Sequence, residues 1–541
     1  MTSQISNFAY SMNASASTAN GAVSLATPDP TGETSGRVSL FFKSVRGLNA
    51  PRQYQYLVDS AQESTVDVFL LGFHIRDCRG GKGERELGRR SLIWLFINHP
   101  RKFAKVAKLL PEYGRWDDIL QFFPGVLDLT DLQYVRANYV AHVPGQKRLV
   151  VLRDMQGQMV ELMARKILED HALMLEGKPC SLAAKWAPTE GDSLDRKSGV
   201  FKTLATSMKI PPRVLRKTYL TPLRSYLKIV ERYMCDREWT EIDYNKVPSC
   251  AMNRLKKSFE KHDETRFHAW REALKKDDPN VAKVNAKQLY PHELIKKMRT
   301  HRNADGVCEA QWKVMEDECK KNGALGNDLV VVDTSGSMHS PDYLPLDVAC
   351  AMGLLISRCS VGKFKDHVLS FNSTPKFHLI RDAPIYQRYQ QLVGIDWGGS
   401  TNIKSTFQLI LAQGKQFGLT QEDMPKRLWI VSDMQFNQVN GYGSVTNFQE
   451  IEKMYSDAGY TRPQIVFWNV NGSSSDFPVS VDDDGTALIS GFSTTVMTAV
   501  LEGDDSFSPY GIMRKTLDSD RLRAIRAALG VEEEEEEEEK K

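Results

Sequence analysis

The sequence predicts two dissimilar parts, an α-helical repeat domain followed by a doubly wound α/β domain. Three observations carry this expectation. Apolar residues recur at helical spacing from about residue 37 to 322. From residue 325 short apolar runs alternate with helical stretches. Charge also changes sign where the pattern changes. The 541 residues carry a net charge of only +3, but the first 322 hold 52 Lys and Arg against 38 Asp and Glu, and the remainder 19 against 30. Such asymmetry predicts two domains with different partners.

In chain order, residues 1–36 are rich in Ser, Thr, Ala, Asn and Gly and are expected to be a disordered tail. Helical periods then occur at 53–74, 84–97, 101–110 (stopped by Pro111), 151–175, 213–236, 249–274 and 287–300. Successive short helices suggest a HEAT-like solenoid over 37–322, although no exact period is present and a generic bundle stays open. In the second part, strands are expected at 328–333, 427–433 and 464–471, a hairpin at 367–371 and 376–380, and helices near 342–359 and 402–413. A C-terminal helix at 506–530 is expected to pack back. Residues 531–541, which include eight consecutive Glu, are expected to remain a solvated acidic tail.

No stretch approaches the roughly 18 apolar residues of a membrane span, and the N-terminus lacks the charged and apolar regions of a signal peptide. Eight scattered cysteines without a C-x-x-C pair fit reduced thiols in a cytoplasmic or nuclear protein. Cys308, Cys319 and His301 are a weaker zinc alternative, because their spacing is loose.

The turn DTSGSM at 333–338 leaves the first strand with Asp333, Ser335 and Ser337 on one side, an oxygen-only set suited to a hard cation such as Mg²⁺. Gly398–Thr401 precedes a helix, and Ser432–Asp433 ends the second long strand. In a doubly wound sheet, ligands bind at the carboxyl ends of the strands, where these segments fall. The bland alternative for DTSGSM alone is an ordinary strand-to-helix turn. No nucleophile with an adjacent base is visible, so the chain is expected not to be an enzyme, and a metal-dependent nuclease is disfavoured.

The three segments together resemble the von Willebrand factor A domain and its metal-ion-dependent adhesion site over residues 325–505. The resemblance implies Asp333, Ser335, Ser337, Thr401 and Asp433 as metal ligands, with an acidic group of a partner completing the shell.

In the basic part, FHIRDCRGGKGERELGRR at 73–90 crowds Arg76, Arg79, Lys82, Arg85, Arg89 and Arg90 around a Gly-rich turn that opens a helix. Backbone N–H groups there could approach an anion, although Asp77, Glu84 and Glu86 could instead neutralise the arginines. A second basic region between Lys209 and Lys297 interleaves Arg213, Arg216 and Lys217 with aromatics. At helical spacing those aromatics are more often core.

The segments DCRGGKGER (77–85), YGRWDDIL (113–120), AAKWAPT (183–189), RKTYLTPLRSYLKIVERYM (216–234), VPSCAM (247–252) and KSFEKHDETRF (257–267) occur in order before DTSGSM. With it they resemble domain-of-unknown-function family 2828. That architecture is similar to TROVE-module proteins typified by the Ro autoantigen, a helical-repeat ring closed by a von Willebrand A domain. The resemblance implies a monomeric, noncatalytic ribonucleoprotein protein. Small or single-stranded RNA would be held by Arg76, Arg79, Lys82, Arg85, Arg115, Arg213, Arg216 and Lys217. The alternative is an adaptor gripping an acidic protein partner through the metal site.

Overall fold

A computed structural model describes residues 35–129, 146–276, 281–286, 289–321, 325–371, 374–395, 403–434, 444–472, 484–492, 496–501 and 507–531. It also describes a short antiparallel pair, Ser15–Ser17 with Val23–Leu25. The N-terminal tail expected to lack order therefore contains that pair. The acidic run beyond residue 531 lies outside the described residues.

The helices used below are α1 (Gly36–Lys43), α2 (Ala50–Glu63), α3 (Thr65–Arg76), α4 (Arg85–Asn98), α5 (Pro100–Val106) and α6 (Gln146–Leu175). They continue with α7 (Pro291–His301), α8 (Gly306–Lys321), α9 (Leu344–Cys359), α10 (Ile403–Phe417), α11 (Pro509–Asp518) and α12 (Arg523–Leu529).

The chain divides into two compact units, and their borders differ from those read off the sequence. The α/β unit comprises the described residues through Ser64, Pro248–Arg254 and His268–Ser519. The helical unit comprises Thr65–Val247, Leu255–Phe267 and the described residues from Asp520. The expected helical domain over 37–322 thus cedes both of its ends to the α/β unit. The C-terminal segment is also two helices rather than one: α11 packs beside the sheet, and α12 packs on α3 and α5.

The α/β unit is built on a six-stranded sheet. Its strands are β1 (Asp328–Val332), β2 (His367–Ser370), β3 (Phe377–Leu379), β4 (Arg427–Ser432), β5 (Gln464–Asn469) and β6 (Thr486–Ser490). Their order is β3-β2-β1-β4-β5-β6. All neighbours are parallel except β2 and β3, which form the expected hairpin. β1, β4 and β6 are buried at every position, as a parallel sheet covered on both faces requires. Their runs DLVVV, RLWIVS and TALIS therefore show no alternation.

Two contacts fix how helices meet this sheet. A Cβ on Gly353 of α9 would stand 2.5 Å from Val332 Cγ2, so glycine lets the helix seat directly on β1. From the other end of the sequence, α1 reaches the far edge strand, where Ser490 Oγ donates to the Phe41 carbonyl at 3.3 Å.

The single period expected at 53–74 breaks at Ser64, whose extended backbone separates α2 from α3, the first helix of the helical unit. Every side chain of α3 from Asp67 to Arg76 is buried, which explains its lack of an amphipathic signature. Pro111 does not end a helix; it occupies the first turn of Leu110–Tyr113, where its missing N–H costs nothing.

Candidate metal centre and the basic turn

The carboxyl end of β1 lies beside that of β4. From β1 the chain moves outward to β2, and from β4 it moves the opposite way to β5. The gap between them is therefore the point where the strand order reverses, the place at which doubly wound sheets bind ligands. Asp333 follows β1 directly, and its backbone N–H extends the ladder to the Val431 carbonyl at 3.1 Å.

Around Asp333 the chain folds into a tight oxygen-lined turn. The Ser335 N–H donates to Asp333 Oδ1 at 2.9 Å, and the hydroxyls of Ser335 and Ser337 are 3.1 Å apart. Across from it, Ser432 Oγ donates to Asp333 Oδ2 at 2.5 Å and accepts from the Met434 N–H at 3.1 Å. Met434 takes a left-handed backbone at φ 65°, which turns the chain sharply after Asp433. Asp333, Ser432 and Asp433 are fully buried, and Ser337 is partly exposed.

Burial pushes the Asp333 carboxyl above its ordinary range, and the hydrogen bonds from Ser432 and Ser335 offset this only in part. Among the described residues, no basic side chain is one of the groups that act on it. A buried carboxylate without a countercharge is costly, and a divalent cation is the usual remedy. The Asp333 carboxylate and the Ser335 and Ser337 hydroxyls, with Asp433 following the adjacent strand, make an oxygen donor set that fits such an ion. Thr401, the fifth expected ligand, lies outside the described residues.

Sequence reasoning placed Asp333, Ser335, Ser337 and Asp433 at this edge and missed the part played by Ser432. A signal was available, since three apolar strands end in a polar residue. The register sets Ser432 beside Asn469, and Asn469 beside Ser490. Among the described residues no group of three or more His, Cys, Asp or Glu side chains converges, so the loose His301, Cys308 and Cys319 alternative finds no support.

The basic Gly-rich turn has a different character from the one expected. Arg76 and Lys82 are 3% and 0% exposed, so neither presents charge to an RNA, and the expectation is corrected for both. Arg76 Nη2 lies 2.7 Å from Asp118. Arg89 Nε reaches the same carboxylate at 2.6 Å. Burial tends to raise the Asp118 carboxyl, but the guanidinium charges of Arg76 and Arg89 overcome it and hold it below its usual range. Burial pulls Lys82 down to about 7, against the attraction of Glu84. It also pulls His74 down to about 3, with the Lys82 charge adding to the effect.

The backbone donors of this turn are consumed by the chain itself. Cys78 N–H goes to Tyr113, Lys82 N–H to His74, Gly83 N–H to Asp77 and Glu84 N–H to Ile75. Its glycines serve close packing: a Cβ on Gly81 would meet the His74 carbonyl, and one on Gly88 would meet Arg76. Arg521, just ahead of α12, donates to both oxygens of Asp77 at 2.7 and 3.0 Å. Arg79 is exposed at the surface, but its guanidinium donates to the carbonyls of Glu112 and Gly114 at 2.6 and 2.9 Å. Arg115 pairs with Asp117 and stacks on Trp186 at 4.2 Å. Arg85 is exposed and bridges weakly to Asp117 at 3.2 Å. The motif is a structural joint.

Farther along the same unit, the expected residues Arg213, Arg216 and Lys217 are all exposed. Arg216 pairs with Glu190 at 2.5 Å. These residues begin on the short helix Pro212–Val214 and continue into a π-helical segment, Leu215–Leu220. Such segments are rare and often occur at functional sites. Between Lys202 and Arg237 there are nine Lys and Arg and only two acids, Glu231 and Asp236. Apart from Arg224, whose guanidinium donates to the carbonyls of Ala184 and Ala187, this basic excess is at the surface.

The fold and site define a two-unit protein that pairs a helical body with an α/β domain carrying an oxygen-rich switch-point site. Matches to known families divide the chain at a different place, just before β1. Residues 208–325 match the model of a domain of unknown function, DUF2828, and residues 327–540 match a second, DUF7788. A relative of similar extent is the uncharacterised protein L728 of Acanthamoeba polyphaga mimivirus. It is 28% identical over 476 residues, covering 84% of this chain and 80% of that protein.

Proposed function

We propose that the protein is a noncatalytic, metal-dependent binding module whose α/β unit is a von Willebrand factor A-like domain. Asp333, Ser335, Ser337 and Asp433 would hold Mg²⁺ or another divalent cation, with Thr401 completing the set. When bound, the cation neutralises the paired acids and offers a position to an acidic group of a protein partner. The chain's own residues prepare this site. Ser432 orients Asp333, and the Ser335 N–H fixes the other carboxylate oxygen. The observation that carries the proposal is a fully buried Asp333 surrounded by hydroxyl and amide donors, with no basic countercharge among the described residues. Isothermal titration with Mg²⁺ tests it: the intact protein takes up the ion, and Asp333→Ala does not.

RNA binding is favoured by a separate observation, the exposed basic stretch from Lys202 to Arg237 with its π-helical segment. Under this second reading, likeness to Ro-type ring proteins extends to a polyanion surface, shifted away from the Gly-rich joint. Phosphate neutralisation by Lys202, Lys209, Arg213 and Lys217 would supply sequence-independent affinity. Fluorescence anisotropy with single-stranded RNA at several salt concentrations tests it. Salt-insensitive or absent binding rejects RNA and leaves the metal reading standing.

A further inference from the structure

All eight cysteines are thiols. Two of them come together in the α/β unit. Cys319 lies in the last turn of α8 and Cys359 is the final residue of α9; they are 8% and 6% exposed. Cys359 Sγ donates to the Glu316 carbonyl at 3.7 Å. Glu316 precedes Cys319 by three residues, which puts it on the same side of α8. The two thiols are also within hydrogen-bonding reach of each other.

That contact makes the pair unequal. The Cys359 sulfur beside it holds the Cys319 thiol below its ordinary range despite burial. The same closeness, with burial added, pushes Cys359 up, and its S–H is committed to the Glu316 carbonyl. The more acidic thiol is the better nucleophile toward a small oxidant, and its partner is placed to resolve the product.

We propose that Cys319 and Cys359 are a reversible dithiol–disulfide pair oxidised by hydrogen peroxide. The Cys319 thiolate sulfur attacks one peroxide oxygen and the O–O bond breaks. The hydroxide released takes up the proton that Cys319 lost, leaving water and a sulfenic acid. The Cys359 sulfur then attacks the Cys319 sulfur, and the S–O bond breaks. Hydroxide leaves and takes the Cys359 proton as a second water. In sum two thiols are oxidised and one peroxide is reduced to two waters. The new bond ties α8 to α9 and closes the segment that contains β1 and the turn from Asp333 to Met338. Closing that loop restrains the unfolded chain and stabilises the unit.

The full-length protein is treated with graded peroxide, alkylated under denaturing conditions, digested and analysed by mass spectrometry. A cross-linked peptide joining Cys319 to Cys359 is expected, reversed by dithiothreitol, with a melting temperature several degrees higher in the oxidised protein. In Cys359→Ser, Cys319 stops at the sulfenic acid and is captured by a cyclic dione. In Cys319→Ser, Cys359 stays a thiol. The proposal is overturned if both cysteines are recovered alkylated at doses that oxidise the exposed Cys235 and Cys250. It is equally overturned if either one cross-links to a different cysteine. The unsubstituted protein alone decides these outcomes, so a poorly folded variant cannot obscure them.

Discussion

Replacing Asp118 with Ala should destabilise the helical unit far more than any change to the exposed arginines around it. Asp118 accepts from Arg76 Nε at 2.9 Å, from Arg89 Nε at 2.6 Å and from the Arg115 backbone N–H at 2.8 Å. Its removal leaves the Arg76 guanidinium buried without its carboxylate. Breaking a buried pair in this way costs about 3–5 kcal/mol. At about 1.4 kcal/mol per factor of ten, a loss near 4 kcal/mol speeds amide exchange through the global opening of α3 and α4 roughly a thousandfold. Hydrogen–deuterium exchange of peptides from 65–98 reads this in the helical unit alone. An increase under about tenfold, the size expected for an exposed ion pair, would refute the structural role given to the Gly-rich joint. Arg85→Ala is the matched control and should change exchange little, because Arg85 sits at the surface. Since the folded Asp118 carboxyl lies below its ordinary value of 3.8, its contribution is complete above that value and is lost as pH falls through the lower folded value.

Other outcomes follow from single contacts. Gly353→Ala forces a Cβ against the stiff Val332 side chain and should cost about 1–3 kcal/mol, read as a lower melting temperature. Gly157→Ala in α6 meets nothing within 4 Å and should gain up to about 1 kcal/mol. Arg521→Ala strips buried Asp77 of its bidentate partner and should loosen α12, seen as faster proteolysis after Asp520. His74 is neutral in the fold, with its value near 3 against an ordinary 6.5. The stability it contributes is therefore present above pH 6.5 and is lost toward pH 3, at about 1.4 kcal/mol per pH unit. His74→Phe should flatten that slope in urea titrations. Replacing Lys202, Lys209, Arg213 and Lys217 together by Ala should reduce the salt slope of any single-stranded RNA binding by about 3, at roughly 0.7 per phosphate contact.

In the second part β1, β4 and β5 were legible because buried parallel strands write themselves as short apolar, β-branched runs, and β2 and β3 were legible as a hairpin. The sixth, Thr486–Ser490, was not anticipated. Asp333, Ser335 and Ser337 were legible from local spacing, whereas the Ser432 contact depends on a neighbour 99 positions away. Charge misled at residues 76–90. A run of arginines reads as a surface, but Asp117, Asp118 and Arg521 are distant in sequence, and only the fold brings them in. The packing of α1 was hidden for the same reason, since periodicity shows that it is a helix without showing which core it covers.

The contact between α1 and the edge strand β6 has a consequence for biosynthesis. Phe41 and Ser490 are separated by 449 positions. At about 5–20 residues per second, a ribosome needs roughly 20–90 s to make the second after the first. Throughout that interval the apolar residues Val38, Leu40, Phe41 and Phe42 are outside the exit tunnel without the strand they will cover. Slowing translation across 50–485 should therefore lengthen the time for which α1 waits for β6.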